Sequence, residues 1–332
     1  MFIIGTQRSG TTLLRLILNA HSKIAIPEEA RFLMPLLNTT YLSKDIKGDE
    51  LKSLINYLAA NDQFKLWNYD SQPYLSWLSQ KEQISLRELI DSMFMSYCRS
   101  EGKLMWGDKS LFFRTIGILT ELFPDARFIH IVRDGRDVFD SWRKMDPSKN
   151  NAAVMALDWR YKLYKIEKSF SAMPKGNQFT LRYEDLLEAP ESTIQEICNF
   201  LGIVYEPGML EFHKTSHNYI GEHHSNLIFN AINKSNSAKW RKNLTRHEAL
   251  SFNLLAGAYL NKYQYEPALE NPGILDFTKI TLDLLVGLPS RIFQVAQASW
   301  AGAIALKKGK AVKAVPVGVM PKGSNNSAGG NT

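Results

Sequence analysis

The chain has 332 residues, 45% hydrophobic and 22% charged, a balance that excludes a disordered or fibrous protein and fits a globular protein of one large or two smaller domains. Its formal net charge of +7 overstates the basicity of the body, because Lys307, Lys308, Lys310, Lys313 and Lys322 lie in a final stretch that holds no acid. The remainder is nearly neutral, which argues against the broad cationic footprint that nucleic acid requires.

Phe2-Ile3-Ile4-Gly5 reads as a short buried strand, Thr6 to Gly10 as a loop, and Leu13, Leu14, Leu16, Ile17 and Leu18 as the apolar periodicity of a helix. This is the layout of a phosphate cradle, in which glycines let the backbone turn its N–H groups inward and the helix N-terminus adds partial positive charge. The spacing Gly5-x-x-x-x-Gly10-Thr11-Thr12 matches a nucleotide-binding P-loop, except that Thr11 replaces the loop lysine and Arg8 puts a cation inside the loop. A lysine at that position serves the β- and γ-phosphates, so moving the cation points to a differently shaped anion. A bare Gly/Ser/Thr cluster is often only a helix cap, and here the strand before it and the helix after it favour the cradle. The strand starts too early to leave room for a secretory leader, so a cytoplasmic protein is expected. Cys98 and Cys198 lack paired spacing and read as buried thiols of a reducing compartment.

Residues 40–105 are mostly helical in pattern and rich in rings: Tyr41, Tyr57, Phe64, Trp67, Tyr69, Tyr74 and Trp77. These could wall an acceptor pocket or pack the core of a helical insertion. Ala126 to Val132 is a second strand, followed by Arg133-Asp134-Gly135-Arg136-Asp137 and an amphipathic segment from near Val138. Gln178 to Tyr183 is a third, and Pro190 and Glu191 open a helix through Leu201. Short strands separated by helices predict an α/β fold with a central parallel sheet flanked by helices, and ligands beyond the carboxyl ends of the strands, where Arg8 and Arg133 fall. Residues 214–237 form a long polar loop whose His217, His223 and His224 lack companion carboxylates or cysteines, so no metal is expected. Helices are expected over 274–288 and 292–306, then a disordered basic tail over 307–332. Trp300, Ile304 and Leu306 beside the lysines suit a peripheral membrane or partner contact, although packing on the main domain is favoured.

With these motifs on the page, the chain resembles the 3′-phosphoadenylyl-sulfate (PAPS)-dependent sulfotransferases, most closely their tyrosylprotein-sulfotransferase-like branch, from Phe2 to about Pro267. The family loop P-[KR]-S-G-T-T is matched by Gln7-Arg8-Ser9-Gly10-Thr11-Thr12, with Gln7 in place of the proline, a change expected to loosen the start of the loop. The resemblance implies a P-loop-type three-layer fold over residues 1–270, with the insertion at about 40–105 and a helical extension over 271–306. It implies sulfuryl transfer from PAPS to an acceptor hydroxyl, releasing adenosine 3′,5′-bisphosphate without a metal. The acceptor would be a carbohydrate, lipid, small metabolite or peptide tyrosine.

The same resemblance places Arg8, Ser9, Gly10, Thr11 and Thr12 on the 5′-phosphosulfate, Arg133, Ser141 and Lys239 at the 3′-phosphate, and Tyr183 near the cofactor. A guanidinium with a hydroxyl near a helix start suits a phosphate; taken alone, Arg133 could instead pair with Asp134 or Asp137 at the surface. Glu29, in Pro27-Glu28-Glu29-Ala30-Arg31, falls on the branch's catalytic carboxylate and is the expected general base, with Glu28 its competitor. Lys109, in Trp106-Gly107-Asp108-Lys109-Ser110, falls on a lysine that stabilises the transition state with Arg8, the alternative being a surface lysine beside a helix. Ser225 corresponds to a serine near the sulfuryl group, and Met145 stands where the family has a further cofactor cation. A P-loop kinase, the second hypothesis, is disfavoured by the missing loop lysine and the lack of a clear strand ending in a Walker-B aspartate. A non-catalytic nucleotide- or glycan-binding module is the third.

Overall fold

The computed structural model describes residues 1–37, 40–110, 113–214, 230–267 and 271–307, so Ser225 and the expected tail beyond 307 lie outside the described residues. In chain order the principal elements are β1 (Phe2–Gly5), α1 (Thr11–Asn19), β2 (Ile24–Ala25), β3 (Ile46–Lys47), α2 (Gly48–Ala60), β4 (Gln83–Ile84), α3 (Leu86–Ser100) and β5 (Met105–Trp106). They continue with β6 (Phe128–Val132), α4 (Gly135–Met145), α5 (Ala152–Ser171), β7 (Gln178–Arg182), α6 (Pro190–Leu201), α7 (Arg246–Lys262) and α8 (Ile274–Lys307).

β6 is central and pairs in parallel with β1 on one side and β7 on the other. β5 pairs in parallel with β2, and just beyond it Asp108 bridges Phe2, its carbonyl accepting the Ile3 N–H at 2.8 Å. The strands therefore line up β2, β5, β1, β6, β7 and end at one edge. β1 and β6 are buried throughout, the continuous apolar runs of a parallel sheet covered on both faces. Their alternation sorts the layers: Ile3, Ile129 and Ile131 pack with α1 and α6, while Phe2, Ile4 and Phe128 pack with the insertion and α5.

In the insertion, β3 and β4 form a small antiparallel pair beside α2 and α3. Trp67 packs among Phe32, Phe64, Phe94 and Tyr97 at ring-centroid distances of 4.8 to 5.8 Å. Tyr57, Phe64, Trp67 and Tyr74 are all buried, so these rings build the core of the insertion rather than an acceptor wall.

Two elements differ from expectation. α4 begins at Gly135 rather than near Val138, because Asp134 caps it, accepting the Arg136 N–H at 2.9 Å. α8 runs unbroken through Pro289, where two helices were expected. Tertiary contact overrides the lost backbone hydrogen bond: Asn151 donates to the Asp283 carbonyl at 2.8 Å, Arg291 pairs with Asp158 at 3.0 Å, and a Cβ on Gly287 would lie 2.6 Å from Val154. Cys98 and Cys198 are free and buried, as expected. Among the described residues, no helix is long and apolar enough to cross a membrane.

Arg136 is the fully buried clamp of the sheet's carboxyl edge. It pairs with Asp134 at 2.7 Å, donates to the Glu266 carbonyl at 2.7 Å and stacks 3.6 Å from the centre of the Trp240 ring. The Trp240 N–H in turn donates to Asp137 at 2.8 Å. Arg136→Met would leave the Asp134 carboxylate buried without its countercharge, and urea unfolding is expected to show a loss of about 3–5 kcal/mol. A loss below about 1 kcal/mol, the scale of an exposed pair, would mean the clamp is not structural.

Candidate functional site

The loop after β1 is shaped by two left-handed residues, Gly10 at φ 91° and Arg8 at φ 70°. Gly10 packs beneath Tyr183, where an added Cβ would sit 2.3 Å from the ring, so only glycine fits. Arg8 has no such freedom, and a non-glycine residue at positive φ costs roughly 1–3 kcal/mol unless its surroundings hold it. Here they do. Arg133 donates to the Arg8 carbonyl at 3.2 Å, and Arg8 Nε donates to Ser141 Oγ at 2.9 Å. The hydroxyls of Thr6 and Ser9 share a 2.5 Å hydrogen bond across the turn. Gln7 does not loosen the loop as expected: its side-chain oxygen accepts from Lys162 of α5 at 3.1 Å and ties the loop down. Thr11 is buried at the start of α1, and Thr12 is half-buried.

Arg133, at the end of β6, is buried and is not a surface salt bridge. Besides the Arg8 carbonyl it donates to the Asn236 carbonyl at 2.8 Å, lies 4.5 Å from the Tyr183 ring centre and is 3.8 Å from Asp137. Its Nε has no hydrogen-bond partner among the described residues. Asn236 also donates to the Tyr183 hydroxyl at 2.6 Å, fixing that ring over the loop. Burial, reinforced by the neighbouring Arg133, pushes the Arg8 guanidinium below the ordinary arginine value. Two cations thus share a poorly solvated corner, a field that favours an anion. The resemblance assigns Arg8 to the 5′-phosphosulfate and Ser141 to the 3′-phosphate, and the fold sets the two side chains side by side. Lys239 is exposed, three residues beyond Asn236 on the segment pinned by Trp240.

A second group lies where Asp108 joins β1. Lys109 is buried and ion-paired with Glu29, whose other oxygen accepts from Arg31. Burial pushes the Glu29 carboxyl up, but Lys109 and then Arg31 outweigh it and hold it at about 2. The Glu29 segment is pinned through Ser110, which accepts the Ala30 N–H at 2.5 Å and donates from its hydroxyl and N–H to Asp108 at 2.7 and 2.9 Å. Burial raises Asp108 to about 6. Glu28 is engaged elsewhere, 2.8 Å from Arg15 of α1, which also donates to the Ile26 carbonyl. The fold therefore separates the two glutamates: Glu28 belongs to a buried structural arginine, and Glu29 to Lys109.

Arg31, Asn236 and Lys162 were missed from sequence. Arg31 had a faint signal, two residues beyond Glu29, while nothing local marks Asn236 or Lys162. A cavity of about 340 Å³ lined by Met1, Phe2, Met105, Trp106 and Ala126 lies at the amino ends of the strands, away from this chemistry. Among the described residues, no group of three or more His, Cys, Asp or Glu is placed to hold a metal.

Comparison with known proteins gives the family. A family model described as "Sulfotransferase family" matches residues 1–207. Protein-tyrosine sulfotransferase A of Caenorhabditis elegans is 26% identical over 249 residues, covering 71% of this chain and 55% of that protein. An uncharacterized Aquifex aeolicus protein is 25% identical over 249 residues, covering 73% of this chain and 30% of its own length. The chain thus spans less than two thirds of either relative. In fold it resembles the sulfotransferase domain from the curacin biosynthetic pathway, with a TM-score of 0.55 and 20% identity over 80% of this chain and 98% of that one.

Lys109→Met is expected to move the Glu29 carboxyl upward from about 2, read by NMR of the labelled carboxyl carbon. Because the folded value lies below the ordinary 4.5, the stabilisation from Glu29 is fully present above 4.5 and is lost as pH falls toward about 2. Glu29→Gln should remove that acid limb from the pH dependence of urea unfolding; an unchanged limb would mean the carboxyl titrates normally.

Proposed function

Because the chain belongs to the sulfotransferase family, we propose that it transfers a sulfuryl group from PAPS to an acceptor hydroxyl, releasing adenosine 3′,5′-bisphosphate. The observation that carries this reading is the Arg8–Arg133 corner with Ser141, a preformed anion receptor at the carboxyl ends of β1 and β6, in which the buried Arg133 Nε lacks a partner among the described residues. The donor set fits a nucleotide phosphorylated at both ends. Ser9, Gly10, Thr11, Thr12 and Arg8 would hold the 5′ end, and Arg133, Ser141 and Lys239 the 3′-phosphate. Asp134, the acid nearest the end of β6, is bound to Arg136 and caps α4, which argues against a Walker-B role in a kinase.

When bound, PAPS supplies an activated sulfuryl group whose bridging oxygen gains negative charge as the S–O bond breaks. Arg8 and Lys109 present positive charge from a site with little water, where preorganised cations act most strongly. Glu29 takes the acceptor proton. Held at about 2 it is a weak base, so drawing Lys109 toward the bound anion both places the cation and raises the proton affinity of Glu29. The acceptor is a hydroxyl on a peptide tyrosine, carbohydrate, lipid or small metabolite.

Calorimetry should show adenosine 3′,5′-bisphosphate binding without Mg²⁺, and weakly or not at all to Arg133→Ala. Tight Mg²⁺-dependent ATP binding with no response to the bisphosphate would sink the proposal. In transfer assays with labelled PAPS, Lys109→Ala and Glu29→Gln should each lower kcat ~10² to 10³-fold. A full rate in Glu29→Gln would remove it as the base.

A further inference from the structure

α8 is amphipathic in the reverse sense for a helix lying on a protein surface. The side chains it turns toward the body are mostly polar, with Ile280 buried among them: Asp276 pairs with Arg246 at 2.8 Å, Asp283 with His247 at 2.8 Å and Arg291 with Asp158 at 3.0 Å. Its outward face carries Leu275, Leu282, Leu285, Val286, Ile292 and Phe293, each more than half exposed. Leu275, Leu282, Val286 and Phe293 follow one another at steps of seven, four and seven, which keeps them on one side of the helix. At 1.5 Å per residue the stripe is about 27 Å long. Ordinary surface helices bury the apolar side, and a contiguous exposed stripe of this size marks an interaction site.

The charges decide what covers it. Asp276 and Asp283 are the only acids from residue 274 onward, and both bond to side chains of the body, Arg246 and His247. After Asp283 the chain carries only positive charge: Arg291, then Lys307, Lys308, Lys310, Lys313 and Lys322. A second copy of the same face would bring like charges together, whereas an anionic bilayer complements both the apolar stripe and the lysines. Among the described residues, no helix is long and apolar enough to span a membrane, so the fitting geometry is a helix lying in the plane of the interface. We propose that the outward face of α8, with the lysines that follow it, docks the protein on anionic lipid surfaces. This inference does not depend on the proposed transfer reaction.

Co-sedimentation of the full chain with vesicles of phosphatidylcholine alone, or mixed with phosphatidylserine, tests it. The protein should bind the mixed vesicles and be released by salt. Replacing Lys307, Lys308 and Lys310 with Gln should weaken partitioning on the order of 10²-fold. Leu285→Asp should weaken it ~10-fold or more, since an apolar contact becomes a charge of the wrong sign. Both variants touch only exposed or tail positions, so thermal unfolding and bisphosphate binding should match the parent. Equal binding to neutral and anionic vesicles, or none, overturns the proposal. So does a stable dimer in light scattering that Leu285→Asp makes monomeric, which would assign the face to a second copy. Either failure leaves the transfer reaction standing.

Discussion

The guanidinium of Arg133 is the point on which the carboxyl edge of the sheet depends. It reaches the loop after β1 through the Arg8 carbonyl, the late segment through the Asn236 carbonyl, and the end of β7 through the face of Tyr183. A buried cation must be compensated, and here the compensation comes mainly from carbonyl dipoles and a ring, with Asp137 at 3.8 Å. Carbonyls satisfy hydrogen bonds without cancelling charge. The corner therefore stays positive with Arg8 beside it, a field that favours an anion. The strained backbone of Arg8 is held by the same contact, with Arg133 and Ser141 on either side of the left-handed turn.

The Glu29–Lys109 pair is a second constraint of a different kind. In the proposed reaction Arg133 is a fixed receptor, whereas Lys109 and Glu29 are ion-paired and would part for either to act. The surroundings keep that exchange local. Ser110 locks the backbone of Ala30 to Asp108, so the two segments are held in register while the side chains are left to repartition their charges. Glu28 is committed elsewhere, since drawing it away would break its buried ion pair with Arg15, a cost of several kcal/mol.

The Arg133-Asp134-Gly135-Arg136 segment shows how one short motif divides its labour. Its first arginine faces the ligand corner. The second turns inward, where it meets Asp134, the Glu266 carbonyl and the Trp240 ring and so brings the late segment carrying Asn236 and Lys239 back over the loop. The site is thus assembled from distant stretches of chain, joined here by the contacts of Arg136 with the Glu266 carbonyl and the Trp240 ring and of the Trp240 N–H with Asp137.

The sequence by itself determined the parallel sheet and the phosphate-type loop, because both are written in local patterns: continuous apolar runs for doubly covered strands, glycines where the backbone turns, and a cation within the loop. It also supplied the candidates for the proposed chemistry, since Arg8, Arg133, Glu29 and Lys109 sit in short motifs that resemble those of the family. Tertiary structure decided how those residues are paired. That Glu29 rather than Glu28 meets Lys109, that Gln7 is tied to Lys162, that Asn236 closes over Arg133, and that Pro289 does not break α8 all depend on segments far apart in sequence. Side-chain pairing across such distances leaves no periodicity behind, and the desolvation that sets the proton affinities of Glu29 and Asp108 exists only once the layers have packed.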